Sequence, residues 1–170
     1  MGKLYDLIDP KLAAWIGRQR MFFVATAPLS GGHVNVSPKG PMETFRIVDP
    51  LTVEYDDVIG SGAETAAHLR ENGRICVMFC AFEGPPRIVR LHGHGDVLPA
   101  DDVTDGVRAV VRVNVERISD SCGYGVPLLE YAGERTQREA WQEHKGPDGL
   151  RDYVRDRNAV SIDGLVAFGD

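Results

Sequence analysis

Val107-Arg108-Ala109-Val110-Val111-Arg112-Val113-Asn114-Val115-Glu116-Arg117 is the stretch that decides the fold class of this chain. Successive side chains of a strand point to opposite faces, so Val107, Ala109, Val111, Val113 and Val115 predict one inward row on a long strand. Upstream, Arg87 to Leu98 repeats the pattern, with Val89, Leu91 and Val97 on one face and Arg90, His92, His94 and Asp96 on the other. Beyond the Glu83-Gly84-Pro85-Pro86 turn, Arg74 to Phe82 is apolar on both faces: Ile75, Val77 and Phe79 on one, Cys76, Met78, Cys80 and Phe82 on the other. One face of an antiparallel sheet usually meets water, so such a strand predicts a cover on its outside, a helix or a second subunit.

Towards the amino end, Asp9 caps a short amphipathic helix to about Arg20, with Pro10 at its first position and Leu12, Trp15 and Ile16 on one face. MFFVATAPL and His33 to Ser37 form a hairpin around Ser30-Gly31-Gly32. A break at Ser37-Pro38-Lys39-Gly40-Pro41 precedes two more extended pieces, Phe45 to Val48 and Leu51 to Tyr55. Asp56 to Gly62 reads as a loop, and Glu64 to Glu71 as a short helix stopped by Asn72-Gly73. The sum is a mainly β chain with peripheral helices. Six or seven antiparallel strands of this kind curl into a small barrel, which removes exposed edges. The carboxy-terminal third differs, with a helical extension over about 128–158 on a single domain spanning 1–170.

Bulk properties narrow the function classes. The 170 residues, 43% of them hydrophobic, suffice for one core. A formal net charge of −6 with no cluster of Lys or Arg opposes nucleic acid. No apolar run approaches the roughly 20 residues that span a bilayer, and the amino end lacks the apolar core of a secretory signal, so the expectation is a cytoplasmic protein off the membrane. Three cysteines cannot all pair, and reduced thiols fit the cytosol.

The step Gly60-Ser61-Gly62-Ala63-Glu64-Thr65 has what a phosphate corner needs: glycines, hydroxyls and amides at a helix start. Taken alone it reads more readily as a capping box, Ser61 with Glu64, that only starts a helix. It lacks the Lys-Ser/Thr of a nucleoside triphosphatase loop. His92, His94 and Asp96 share a strand face, but positions i, i+2 and i+4 span roughly 13 Å, too far to converge on one ion, and no metal is expected. Cys122 lies in a glycine-flanked loop without an evident base, which argues against a nucleophile.

Taken in order, Val34-Asn35-Val36-Ser37-Pro38-Lys39-Gly40, Tyr55-Asp56-Asp57, Gly60 to His68, Arg74, Arg87 to Gly93, Ser121-Cys122-Gly123-Tyr124-Gly125-Val126-Pro127 and Ser161-Ile162-Asp163-Gly164-Leu165 resemble the pyridoxamine 5'-phosphate oxidase-like family of FMN-binding split barrels, in its Ser-Pro-Lys-Gly branch. The similarity runs from about Met21 onward. It implies a homodimer binding flavin mononucleotide (FMN) in clefts between subunits. By the same match Val36, Ser37, Pro38 and Lys39 face the ring or substrate, and Tyr55, Asp56, Ser61, Gly62 and Thr65 lie towards the phosphate. Ser121 and Cys122 lie near the flavin. Better-known members place Arg-Lys at the phosphate turn, whereas this chain has glycine, serine and acids there. The resemblance therefore assigns neutralising charge to Lys39, Arg87 and Arg90, in part from the partner chain. Read without it, Lys39 is a solvated loop charge, Arg87 and Arg90 pair with surface acids, and Tyr55 is a strand-end aromatic.

The activity implied is an FMN-dependent oxidoreductase acting on a small substrate, with a nicotinamide nucleotide as candidate hydride donor. The alternatives are a non-catalytic flavin carrier or sensor, or the same barrel holding a deazaflavin or haem. Authentic pyridoxamine 5'-phosphate oxidases carry a carboxy-terminal Arg-x-His pair that residues 161–170 lack, which argues against vitamin B6 as substrate.

Overall fold

A computed structural model describes residues 2–169. In chain order the elements are β1 (Leu4–Tyr5), α1 (Pro10–Ile16), β2 (Phe22–Thr26), β3 (Asn35–Lys39), a single 3-10 turn (Met42–Thr44), β4 (Phe45–Asp49), β5 (Thr52–Val58), α2 (Glu64–Asn72), β6 (Arg74–Cys80), β7 (Ile88–Pro99), β8 (Val107–Ser121) and α3 (Gln137–Arg157). All strand pairings are antiparallel, in the order β3-β2-β6-β7-β8-β5-β4, with β1 added on β8. The sheet curls on itself, since Phe22 of β2 meets Phe45 of β4 with ring centroids 5.2 Å apart. Its ends, β3 and β4, are not hydrogen-bonded to each other, which makes this the expected split barrel.

Alternation builds the interior. Phe22 and Val24, Ile75, Val77 and Phe79, Val89 and Leu91, Val111, Val113 and Val115, and Val53 and Tyr55 are buried from five strands, and Leu12 and Ile16 of α1 plug one end. Each such side chain contributes about 1.5–3 kcal/mol on burial. The α1 start is as expected, with the Asp9 carboxylate accepting from the Leu12 amide at 2.7 Å. Gly73 ends α2 in the left-handed region at φ 70°.

Five local expectations change. Strand β3 continues through Pro38 to Lys39 instead of breaking at Ser37. It is an edge strand, so the missing amide of Pro38 costs no ladder bond. Strand β5 runs on through Asp56, Asp57 and Val58, so the loop is confined to 59–63. The capping box does not form: Ala63 holds the cap position of α2, with no side-chain cap bond. On β6, Ile75, Val77 and Phe79 are buried, while Cys76 and Met78 on the other face are only half-buried. The helical extension is shorter than expected. Residues 122–136 lack helix, and α3 is two helical pieces joined at Gly146 (φ 65°), next to Pro147.

Candidate functional site

The edge strand β3, the end of β5 and the start of α2 enclose a cleft of about 260 Å3 at the split in the barrel. Ser37, Pro38, Lys39, Asp56, Gly62 and Thr65 line it, so six of the residues singled out in the sequence come together. A second cavity of about 620 Å3 shares Pro38, Lys39 and Gly40 with the first and is walled by Arg20, Tyr131, Arg135 and Arg138. Side by side they offer room for a nucleotide-sized ligand.

Behind the cleft lies a buried charge cluster. Asp57 is fully buried because it continues the inward alternation of Val53 and Tyr55. Lys39 Nζ donates to its Oδ1 at 2.7 Å, and Arg108 Nε donates to its Oδ2 at 2.9 Å. Two cations on one carboxylate leave one net positive charge. Burial alone raises the Asp57 pKa, but Lys39 and Arg108 outweigh it and hold the carboxyl below its ordinary value.

Arg108 is the functional candidate that periodicity misses. Alternation places it outside, opposite the inward Val107. Between Asp57 and Val58 of β5, however, the register skips one residue of β8: Asp57 pairs Ala109 and Val58 pairs Val107. Arg108 is the extra residue of this bulge, which turns its side chain inward. The inward Asp57 is the signal that could have found it, because a buried carboxylate requires a cation.

Arg108 also holds the glycine turn. Its terminal nitrogens donate to the carbonyl oxygens of Gly62 at 2.6 Å and Gly60 at 3.3 Å. Asn158, beyond α3, donates to Gly60 O at 2.9 Å. In a trans peptide the N–H points opposite to the C=O, so the amides of Ser61 and Ala63 face away from Arg108. Among the described residues, the amides of Ser61, Gly62, Ala63, Glu64 and Thr65 donate to no acceptor. The Glu64 carboxylate accepts from the Ile162 amide at 3.3 Å.

A family model described as pyridoxamine 5'-phosphate oxidase matches residues 8–138, which include every strand bordering this cleft. The chain belongs to the pyridoxamine 5'-phosphate oxidase family. A pyridoxamine 5'-phosphate oxidase family protein of Aspergillus flavus, ustO, is 44% identical over 140 residues, 74% of this chain. The chain spans 56%, about half, of that relative's length. Among solved structures, HupZ of Group A Streptococcus aligns with a TM-score of 0.52 at 23% identity, over 65% of this chain and 91% of that one. The conserved hypothetical protein Rv2991 of Mycobacterium tuberculosis aligns with a TM-score of 0.50 at 14% identity, over 74% and 92%. Both share the fold.

The family-suggested positions differ in what they contact. Tyr55 sits beneath the cleft, fully buried, with its hydroxyl unpaired and its ring 5.8 Å from Lys39 Nζ. Its pKa is pushed well up by burial and by Asp57, so it stays a neutral phenol. Asp56 pairs with Arg46 at 2.7 Å. Ser61 is exposed, and among the described residues its hydroxyl makes no hydrogen bond. Val36 is 62% exposed on the outer face of the sheet. Arg87 is held by Asp120 at 3.1 Å and by the Tyr5 hydroxyl at 2.6 Å, stacked over Trp15. It lines a separate cavity of about 550 Å3 with Trp15, Arg18 and Phe82. Arg90 donates to Ser121 Oγ at 3.1 Å, and Cys122 is exposed. Within one chain, then, the cleft's positive charge comes from Lys39 and Arg108, while Arg87 and Arg90 serve other contacts. No group of three metal-ligating side chains occurs among the described residues. No described helix is long and apolar enough to cross a membrane.

Proposed function

We propose that the cleft binds FMN at the interface of a homodimer and that the protein is a flavin-dependent oxidoreductase acting on a small molecule. The observation that carries this reading is the run of unpaired amides from Ser61 to Thr65, at the start of a nine-residue helix and backed by the net-positive Lys39–Asp57–Arg108 cluster. Amides at a helix start and one residual positive charge fit a phosphate monoester. Ser37, Pro38 and Lys39 extend from that corner along β3 and fit the edge of a flat ring.

Bound flavin supplies the two-electron chemistry. The chain's own residues bind and orient: the Ser61 to Thr65 amides hold the phosphate, and Arg108 keeps the Gly60 and Gly62 carbonyls turned from it. Lys39, held by Asp57, would place a cation beside the ring edge. The dimer reading is supported by the outer face. Phe23 pairs Met78, and Ala25 pairs Cys76, in half-buried rows continued by the exposed Val36 and Pro38. By the family resemblance, part of the cleft's positive charge comes from the partner's Arg87 and the partner's Arg90.

The test is the visible spectrum of the purified protein after incubation with FMN. A yellow protein that releases FMN on denaturation supports the reading. A protein that takes up no flavin sinks it, and extraction of deazaflavin or haem redirects it. Anaerobic bleaching by NADH or NADPH, with stoichiometric nucleotide oxidation, separates enzyme from carrier. Ser61→Asp weakens FMN binding by placing an anion at the corner, and sedimentation of Met78→Lys reports the loss of the dimer.

A further inference from the structure

The wall of the cleft hides a polar chain that leads away from the ligand space into the core. Ser37 Oγ donates to Asn35 Oδ1 at 2.8 Å. Asn35 Nδ2 donates one hydrogen to Thr65 Oγ1 at 3.0 Å and the other to Thr26 Oγ1 at 3.1 Å. Thr26 Oγ1 lies 2.9 Å from Nδ1 of His68, a fully buried ring whose Nε2 has no partner. Four elements meet here: β2 carries Thr26, β3 carries Asn35 and Ser37, and α2 carries Thr65 and His68, packed against β6.

Hydrogen counting gives this chain a direction. The Thr26 oxygen accepts from Asn35, so its own hydrogen needs an acceptor, and His68 Nδ1 is the atom in reach. The ring then carries its proton on Nε2. The cost is a buried Nε2–H with no partner among the described residues; with Nδ1 as donor it is the Thr26 hydroxyl hydrogen that lacks an acceptor. Burial depresses the His68 pKa, against the pull of Asp163, Glu64 and Glu71, and keeps the ring neutral. At the cleft end the same direction fixes two hydroxyls. Ser37 spends its hydrogen on Asn35 and shows the cleft only lone pairs. Thr65 accepts from Asn35 and keeps its hydrogen for the cleft.

We propose that Asn35, locked by Thr26 and His68, is the positioning residue that sets the hydrogen-bond polarity of the cleft, making Thr65 a donor to the ligand's anionic end and Ser37 an acceptor beside it. The assignment deepens the flavin reading and rests on it for the identity of the ligand. It selects a ligand with phosphate oxygens at the α2 end and a hydroxyl or N–H near Ser37. An isosteric acid inverts the chain. With Asn35→Asp the Thr26 and Thr65 hydroxyls both turn towards the carboxylate, His68 moves its proton to Nδ1, and Thr65 no longer offers a hydrogen to the ligand.

Two measurements test this. The first needs no flavin: 15N shifts and long-range couplings of the His68 ring, recorded in the full chain, show Nε2–H in the wild type and Nδ1–H in Asn35→Asp. An Nδ1–H ring in the wild type overturns the proposal. The second compares FMN with riboflavin, which lacks the phosphate. Thr65→Val weakens FMN about tenfold or more, as expected for a lost hydrogen bond to a charged group, leaves riboflavin nearly unchanged, and is rescued by Thr65→Ser. Equal loss for both ligands, or failure of Thr65→Ser to rescue, overturns the donor role. A wild type that binds neither ligand defeats the flavin reading, and the His68 tautomer then decides the network by itself.

Discussion

Replacing Asp57 by Asn removes the one carboxylate shared by two buried cations. The side chains of Lys39 and Arg108 are 14% and 3% exposed, and that of Asp57 is 0%. At an effective dielectric of about 20, contacts of 2.7 and 2.9 Å are each worth about 6 kcal/mol of attraction, most of it offset by the desolvation of the three groups. Truncating one partner leaves that desolvation uncompensated, and the expected loss is about 3–5 kcal/mol. Measured against a typical stability of about 5–15 kcal/mol, this is a large fraction. Urea unfolding with an unchanged m-value is the assay. Lys39→Met on the Asp57→Asn background withdraws one stranded cation. The double variant is therefore less destabilised than the two single losses summed, by about 1–2 kcal/mol. Arg108 stays anchored in it on the Gly60 and Gly62 carbonyls. A single-variant loss below about 1 kcal/mol, or additive losses, would refute the account of a buried, mutually dependent triad.

The remaining predictions concern backbone, core, acid and salt. Gly73→Ala costs about 1–2 kcal/mol for its left-handed φ of 70°, plus displacement of the His94 ring, which a Cβ would overlap. Gly84→Ala shares that φ in open space and isolates the backbone part, so equal losses in urea unfolding would remove His94 from the account. Tyr55→Phe leaves stability unchanged or raised by up to about 1 kcal/mol, because the lost hydroxyl has no partner; a loss beyond that in thermal unfolding would reveal one. Asp57 has its folded pKa below the ordinary 3.8, so its contribution is complete above 3.8 and is lost as pH falls through the lower folded value. His68 is also depressed, from 6.5, so its neutral burial favours folding above 6.5 and loses ground below it. Stability measured from pH 7 down to 2 accordingly falls in two stages, and the first is reduced in a folded His68→Gln variant, where His92, also depressed by burial and by Arg90 and Arg117, keeps the remainder. FMN affinity changes little between low and high salt, since amides and a buried cluster are screened less than free surface cations; a steep slope would place the phosphate on exposed arginines.

Period-two patterning made the barrel legible. The rows Val89–Leu91 and Val111–Val113–Val115 are the rows that are buried, and Gly73 ends α2 where the sequence places its stop. Sequence also brought Ser37, Lys39 and Thr65 to one cleft, through family resemblance more than through spacing. What it missed has two causes. One extra residue in β8, a bulge that a two-residue period cannot see, turned Arg108 inward. Asp57 follows the regular alternation of Val53 and Tyr55, but on a β5 that runs past the point where the sequence reading ended the strand. The Ser61 and Glu64 spacing had a plausible local reading as a cap. The fold instead uses Arg108 and Asn158, distant in sequence by 46 or more residues, to pin the turn through its carbonyls.

On the proposed reading, that arrangement lets a turn of glycine and acids hold a phosphate without a cation of its own. A cation placed on the turn meets the phosphate directly, but it must be desolvated each time the ligand binds. In this chain the cation is buried once, on folding, and bonded to Asp57 and to two carbonyls. Its influence reaches the cleft through the peptide planes it orients, whose amides face the other way. The bulge that hid Arg108 from the sequence pattern is thus also what places it behind the turn instead of on it.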